Sequence, residues 1–135
     1  MPKSQATGPF EVKLQPEPLC ELAGTTGLIR MSIDKTYQGD LVAAGRGEML
    51  AFRSSIKGSA GYVAIESVTG SLKGRKGSFV LQHGSIMTRG VPEQSITVVP
   101  DSGTEELEGL SGTMTIVIID GKHSYQFDYE SADSD

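Results

Sequence analysis

The chain has 135 residues, 37% apolar and 21% charged, with 17 Gly, one Cys, no Trp and no Asn. That composition is not that of a chain disordered and acidic throughout, nor of a membrane protein, and the length suits one domain with a core of its own. The formal charge of −5 is uneven: residues 101–135 hold nine acids against Lys122, a net of −8, which leaves +3 on residues 1–100. Such an end argues against nucleic acid as a partner, because phosphate binding wants clustered Lys and Arg.

Period-two patterning recurs along the chain, and helical periodicity is almost absent. Phe10, Val12 and Leu14 alternate with Glu11, Lys13 and Gln15, as in a half-buried strand. Ile29, Met31 and Ile33 alternate with Arg30, Ser32 and Asp34, and Tyr37 extends the apolar face. Leu41–Ser54 reads as one long strand in which Gly45 and Gly47 permit a bend. Tyr62–Val68 and Ser78–Ile86 follow, separated by a short strand and the turn 73–77. Gln94–Val99 and Thr113–Ile119 are rich in β-branched residues, and Asp120-Gly121 is a hairpin signal that joins the second to His123–Tyr129. Helix is expected only as single turns, within Pro16–Leu22 and Ser102–Leu107.

The pattern L-x-G-x-x-G-[ST] occurs twice, at Leu72–Ser78 and Leu107–Thr113. It is read as two equivalent hairpins whose glycines take left-handed conformations. Eight or nine strands with almost no helix to cover them must close on themselves or stack. The expected fold is therefore all-β, a single closed antiparallel barrel of about eight strands over residues 1–135, with a disordered tail at 131–135. Both faces of Thr113–Ile119 are apolar, which adds the expectation of a homodimer.

A lone cysteine forms no internal disulfide, and without Asn there is no glycosylation sequon, so the expected address is cytoplasmic. Met1–Phe10 lacks an apolar core of signal-peptide length, and the longest apolar stretch, Ile116–Ile119, is too short to span a membrane as a helix.

The stretch G-Y-V-A-I-E-S-V-T-G-S-L-K-G-R-K-G-S-F-V-L-Q-H-G-S-I, which includes Tyr62–Ile86, carries a family likeness. With T-G-P-F-E-V-K, Y-Q-G-D-L-V-A-A-G-R-G-E-M and V-P-D-S-G-T-E-E-L-E-G-L-S-G, it resembles bacterial domain-of-unknown-function family 3224, from about Ala6 to Tyr129. The resemblance implies a barrel similar to allene oxide cyclase, eight antiparallel strands around a central cavity. It implies no reaction, because a fold hosts unrelated chemistries.

Among chemistry-bearing residues, His83 continues the face of Phe79 and Leu81, where an imidazole serves as acid, base or hydrogen-bond donor. Glu66 shares a face with Tyr62, Ala64 and Val68. Turned inward, it needs His83 or an arginine such as Arg53 as partner; turned outward, it is ordinary surface. Tyr62 offers a hydroxyl, and Arg53 ends a strand at a barrel mouth. These four are the candidate ligand-binding residues. Arg30 and Asp34 read as rim residues, and His123 as exposed after its turn. Gly74-Arg75-Lys76-Gly77 fails as an RNA-binding loop because strands flank it, and no phosphate-binding loop is present. The two histidines lie 40 residues apart and Cys20 has no histidine nearby, so neither a metal nor a cofactor is expected. The leading functional expectation is a barrel that binds a small, largely apolar molecule in a central cavity of at least roughly 300 Å³. A cofactor-independent isomerase or cyclase using that cavity, or a packed barrel acting only in self-association, are the alternatives.

Overall fold

The structure is a computed structural model that describes residues 3–132. Eight antiparallel strands form a closed barrel in chain order: β1 (Lys3–Glu17), β2 (Ile29–Tyr37), β3 (Leu41–Arg53), β4 (Ala60–Leu72), β5 (Arg75–Thr88), β6 (Val91–Val98), β7 (Ser111–Ile119) and β8 (Lys122–Glu130). Closure comes from β1, which pairs with β8 through residues 3–9 and with β2 through residues 10–17. The seam between β6 and β7 is short, its register given by Thr97 opposite Thr113.

Two single 3₁₀ turns, Ala23–Thr25 and Glu105–Leu107, are the helical content among the described residues. The first falls just beyond the expected Pro16–Leu22, because Pro16 and Glu17 still belong to β1. The two glycine-rich echoes are not equivalent. At the first, Lys73 and Gly74 make a two-residue hairpin with φ of 48° and 85°, and Gly77 lies within β5. The second follows the 3₁₀ turn and leads into β7. There Thr104 exchanges hydrogen bonds with Ser78, so the β6–β7 connection continues the edge of β5 where β6 has ended.

Alternation of burial assigns one face of every strand to the interior, and exposure along that face is graded. At one end, the base, Leu107 and Leu110 close the barrel over Leu72, Phe79 and Phe127. Phe127 stacks between Phe79 and Tyr129, with ring centroids 5.6 and 5.2 Å away. Toward the other end, the mouth, the inward-facing residues become half-buried (Val12, Met31, Met49, Tyr62, Ser85, Ile116) and then open to solvent, with Leu14 at 47% and Ile118 at 60% exposure. The barrel is therefore a cup, sealed below and open above.

The Tyr125 hydroxyl pins the β2–β3 turn to the inner wall: it donates to the Gln38 carbonyl at 2.6 Å and accepts from the Leu41 amide at 2.8 Å. Tyr125→Phe leaves the ring in place and orphans the Leu41 amide. The expected cost is about 1–3 kcal/mol, read as a lower urea midpoint at unchanged slope.

Candidate functional site

Four buried polar side chains meet inside the barrel, supplied by β2, β4 and β5, with β3 running between the first two. Glu66 on β4 faces inward and is fully buried, with His83 on β5 at 3% and Lys35 on β2 at 5% exposure. Glu66 Oε1 lies 2.9 Å from His83 Nε2 and accepts a hydrogen bond from Lys35 Nζ at 3.1 Å. Its other oxygen accepts from the Tyr37 hydroxyl at 2.5 Å. The Lys35 ammonium also lies 5.2 Å from the Phe10 ring centroid and 5.7 Å from that of Tyr37, so aromatic faces supply the rest of its surroundings.

Space for this cluster comes from glycine on β3. A Cβ on Gly45 would stand 1.9 Å from Glu66 Oε2, and one on Gly47 would stand 2.0 Å from the Ile65 carbonyl oxygen. These two glycines, expected to permit a bend, leave the volume that Glu66 and its strand occupy.

The electrostatics assign the protons. Burial pushes the Glu66 carboxyl up, but the His83 hydrogen bond, the Lys35 charge and the Tyr37 hydrogen bond outweigh it and hold the group below its ordinary value. Glu66 is therefore an ionised, acceptor-only carboxylate, so the proton shared with His83 sits on Nε2. Burial, with the carboxylate beside it, raises the Tyr37 phenol far above its ordinary value, and it remains a donor. Among the described residues His83 Nδ1 has no hydrogen-bond partner, its other nitrogen being the one on Glu66. No buried side-chain nitrogen or oxygen among the described residues lacks a partner, so Nδ1 is not sealed from solvent.

Of the four residues singled out in the sequence, Glu66 and His83 meet. Tyr62 stands toward the mouth on the same face as Glu66; burial raises its phenol pKa, and a hydrogen bond to Gln94 opposes the rise. Arg53 is exposed at the end of β3 and does not pair with Glu66. That place belongs to Lys35, which the sequence reading passed over. Its signal was available: Lys35 sits between Ile33 and Tyr37 on the apolar face of β2. His123, expected to be exposed, is half-buried with its ring 5.4 Å edge-on to Phe10, because it falls on the inward face of β8. Among the described residues no three His, Cys, Asp or Glu side chains gather as a metal-ligand set, and no helix is long and apolar enough to cross a membrane.

Two apolar grooves lie on the outer wall. One, of about 970 Å³, runs between the β1–β2 connection (Pro18–Leu28) and Leu50, Val63 and Ile65. The other, of about 540 Å³, continues past Phe52 and Ile86.

Fold and site together define the class: a small all-β barrel, closed at one end, with a self-neutralising ionic cluster beneath an apolar mouth. Within that class the chain belongs to DUF3224, described as a protein family of unknown function, whose model matches residues 6–129. A solved structure of a DUF3224 protein of unknown function from Shewanella oneidensis MR-1 is 50% identical, with a TM-score of 0.92 over 98% of this chain and 100% of that one. No curated protein matches the chain.

Proposed function

We propose that the protein binds a small, largely apolar molecule in the mouth of the barrel, with the polar end of the ligand against the Glu66–His83–Lys35 cluster. The observation that carries this reading is the cluster's place: charged groups buried at mid-barrel, under an inner wall that opens to water through apolar residues. A buried ion pair is no economical way to stabilise a fold, since apolar residues of similar volume often do as well or better. Perturbed titratable groups under an apolar opening are the usual mark of a binding site. The allene-oxide-cyclase-like barrel that the sequence resemblance implies would put the interior to the same use, as analogy of fold alone. Cytoplasmic residence fits the exposed thiol of Cys20.

The experiment is titration with the uncharged fluorescent probe N-phenyl-1-naphthylamine. Saturable binding with one site per chain is expected, and Ile116→Trp, which fills the mouth, abolishes it while thermal unfolding stays cooperative. Undiminished binding in a folded Ile116→Trp protein overturns the reading.

A second reading has its own observation. Glu66 holds His83 in the tautomer that leaves Nδ1 unprotonated when the ring is neutral, which is the arrangement of a general base. A cofactor-independent isomerase or cyclase would use it, and His83→Ala would then keep affinity and lose turnover.

A further inference from the structure

Resting on the reading of the mouth as a binding site, we infer that the ligand carries no charge and presents a hydroxyl group to His83. The first half follows from charge balance. Lys35 and Glu66 are the cation and anion of the cluster, and each already neutralises the other at 3.1 Å. The wall above them, formed by residues such as Met31, Met49, Tyr62, Ser85 and Ile116, adds no fixed charge. Arg53 continues the inward alternation of β3, but it stands six residues beyond Gly47, the register partner of Glu66. That is about 20 Å along the strand, at the solvated rim. Among the described residues the remaining titratable groups of the wall are the Tyr62 phenol, which burial keeps protonated, and His123 on β8, which packs against Phe10. A ligand carboxylate or ammonium at the cluster would give up water for a site with no spare countercharge.

The second half follows from donors and acceptors. Glu66 oxygens are filled by His83, Lys35 and Tyr37. The Lys35 N–H groups that Glu66 does not take lie against the Phe10 and Tyr37 rings. Among the described residues the cluster atom left without a partner is therefore His83 Nδ1, an acceptor when the ring is neutral and Nε2 carries the proton. An acceptor calls for a donor, so the head group is a hydroxyl, and a ketone or ether fills the place less well.

Displacement of N-phenyl-1-naphthylamine at pH 8, where imidazoles are ordinarily neutral, separates these claims with four probes of one chain length. Decanol is expected to displace the dye at concentrations at least about 100-fold below decanoate or decylammonium, the penalty of an unpaired buried charge. It should also act at about tenfold lower concentration than decyl methyl ether, as one hydrogen bond allows. In His83→Leu, which keeps Lys35 and Tyr37 on Glu66, the gap between alcohol and ether should close. Decanoate or decylammonium matching decanol overturns the uncharged ligand, and an alcohol–ether gap unchanged in His83→Leu overturns the hydroxyl; the binding site itself survives both results. Dye binding indifferent to Ile116→Trp removes the site, and this inference with it.

Discussion

Glu66→Gln is expected to destabilise the protein by about 3–5 kcal/mol, the loss that follows when one partner of a buried pair is removed. The substitution is nearly isosteric, and its amide still has an oxygen and a nitrogen to offer His83 and Tyr37. What it removes is the charge that balances Lys35, an ammonium with one carboxylate partner and otherwise aromatic faces. The double variant Lys35→Met/Glu66→Gln should recover most of the loss, because the ion that has become unpaired is gone as well. Urea denaturation of the four proteins in the cycle reads the coupling directly. Additive losses in the double variant would mean that Lys35 and Glu66 do not depend on each other.

The same carboxylate gives stability a pH dependence whose sign is set by its lowered pKa. Glu66 binds protons less readily folded than unfolded, so its contribution is fully present above the unfolded value of 4.5. It is lost as pH falls below that value and through the folded one. On acidification the wild type should therefore lose more stability below about pH 4.5 than Glu66→Gln does, and the two denaturation curves should converge.

Strand parity carried most of the fold in the sequence. Alternation and β-branched, turn-bounded runs placed seven of the strand cores, Asp120-Gly121 placed the last hairpin with φ of 52° and 76° at its two residues, and the lack of helix required closure. Parity grouped Glu66 with Tyr62, Ala64 and Val68, and His83 with Phe79 and Leu81, without saying which face of β4 is inward. The structure turns both residues inward, and β4–β5 pairing, with His83 beside Ala64 in register, brings them together. Lys35 was equally legible by parity. It was passed over because a charged residue on an apolar face reads as an interruption until its partner, 31 residues away, is known. The glycines of β3 were not legible in this sense. Whether a strand glycine bends the chain or clears space depends on what lies across the barrel, and no local pattern around Gly45 or Gly47 encodes Glu66.

Gly45→Ala turns that difference into a measurement. Gly45 has no left-handed backbone that would strain an alanine, so the added methyl acts by volume alone. It would stand 1.9 Å from Glu66 Oε2, 2.9 Å from Glu66 Cδ and 3.0 Å from Tyr37 Cε2. A free glutamate would swing its carboxylate aside at little cost. This one is held by His83, Lys35 and Tyr37, so moving it breaks the Tyr37 bond or draws the carboxylate off Lys35. Overpacking alone costs about 1–3 kcal/mol, and a lost buried hydrogen bond adds about 1–3 kcal/mol. The expected sum is about 2–6 kcal/mol, overlapping the range for Glu66→Gln although no charge changes. Gly84→Ala is the matched control: a β5 glycine, also without left-handed φ, whose added Cβ meets nothing within 4 Å. There the smaller entropy of the unfolded chain decides, and the variant should be unchanged or more stable by about 0.4–1 kcal/mol. Combined with Glu66→Ala, which empties the contested volume, Gly45→Ala should lose most of its own penalty. A penalty that persists in that pair would assign Gly45 to strand curvature instead of room for the ionic cluster.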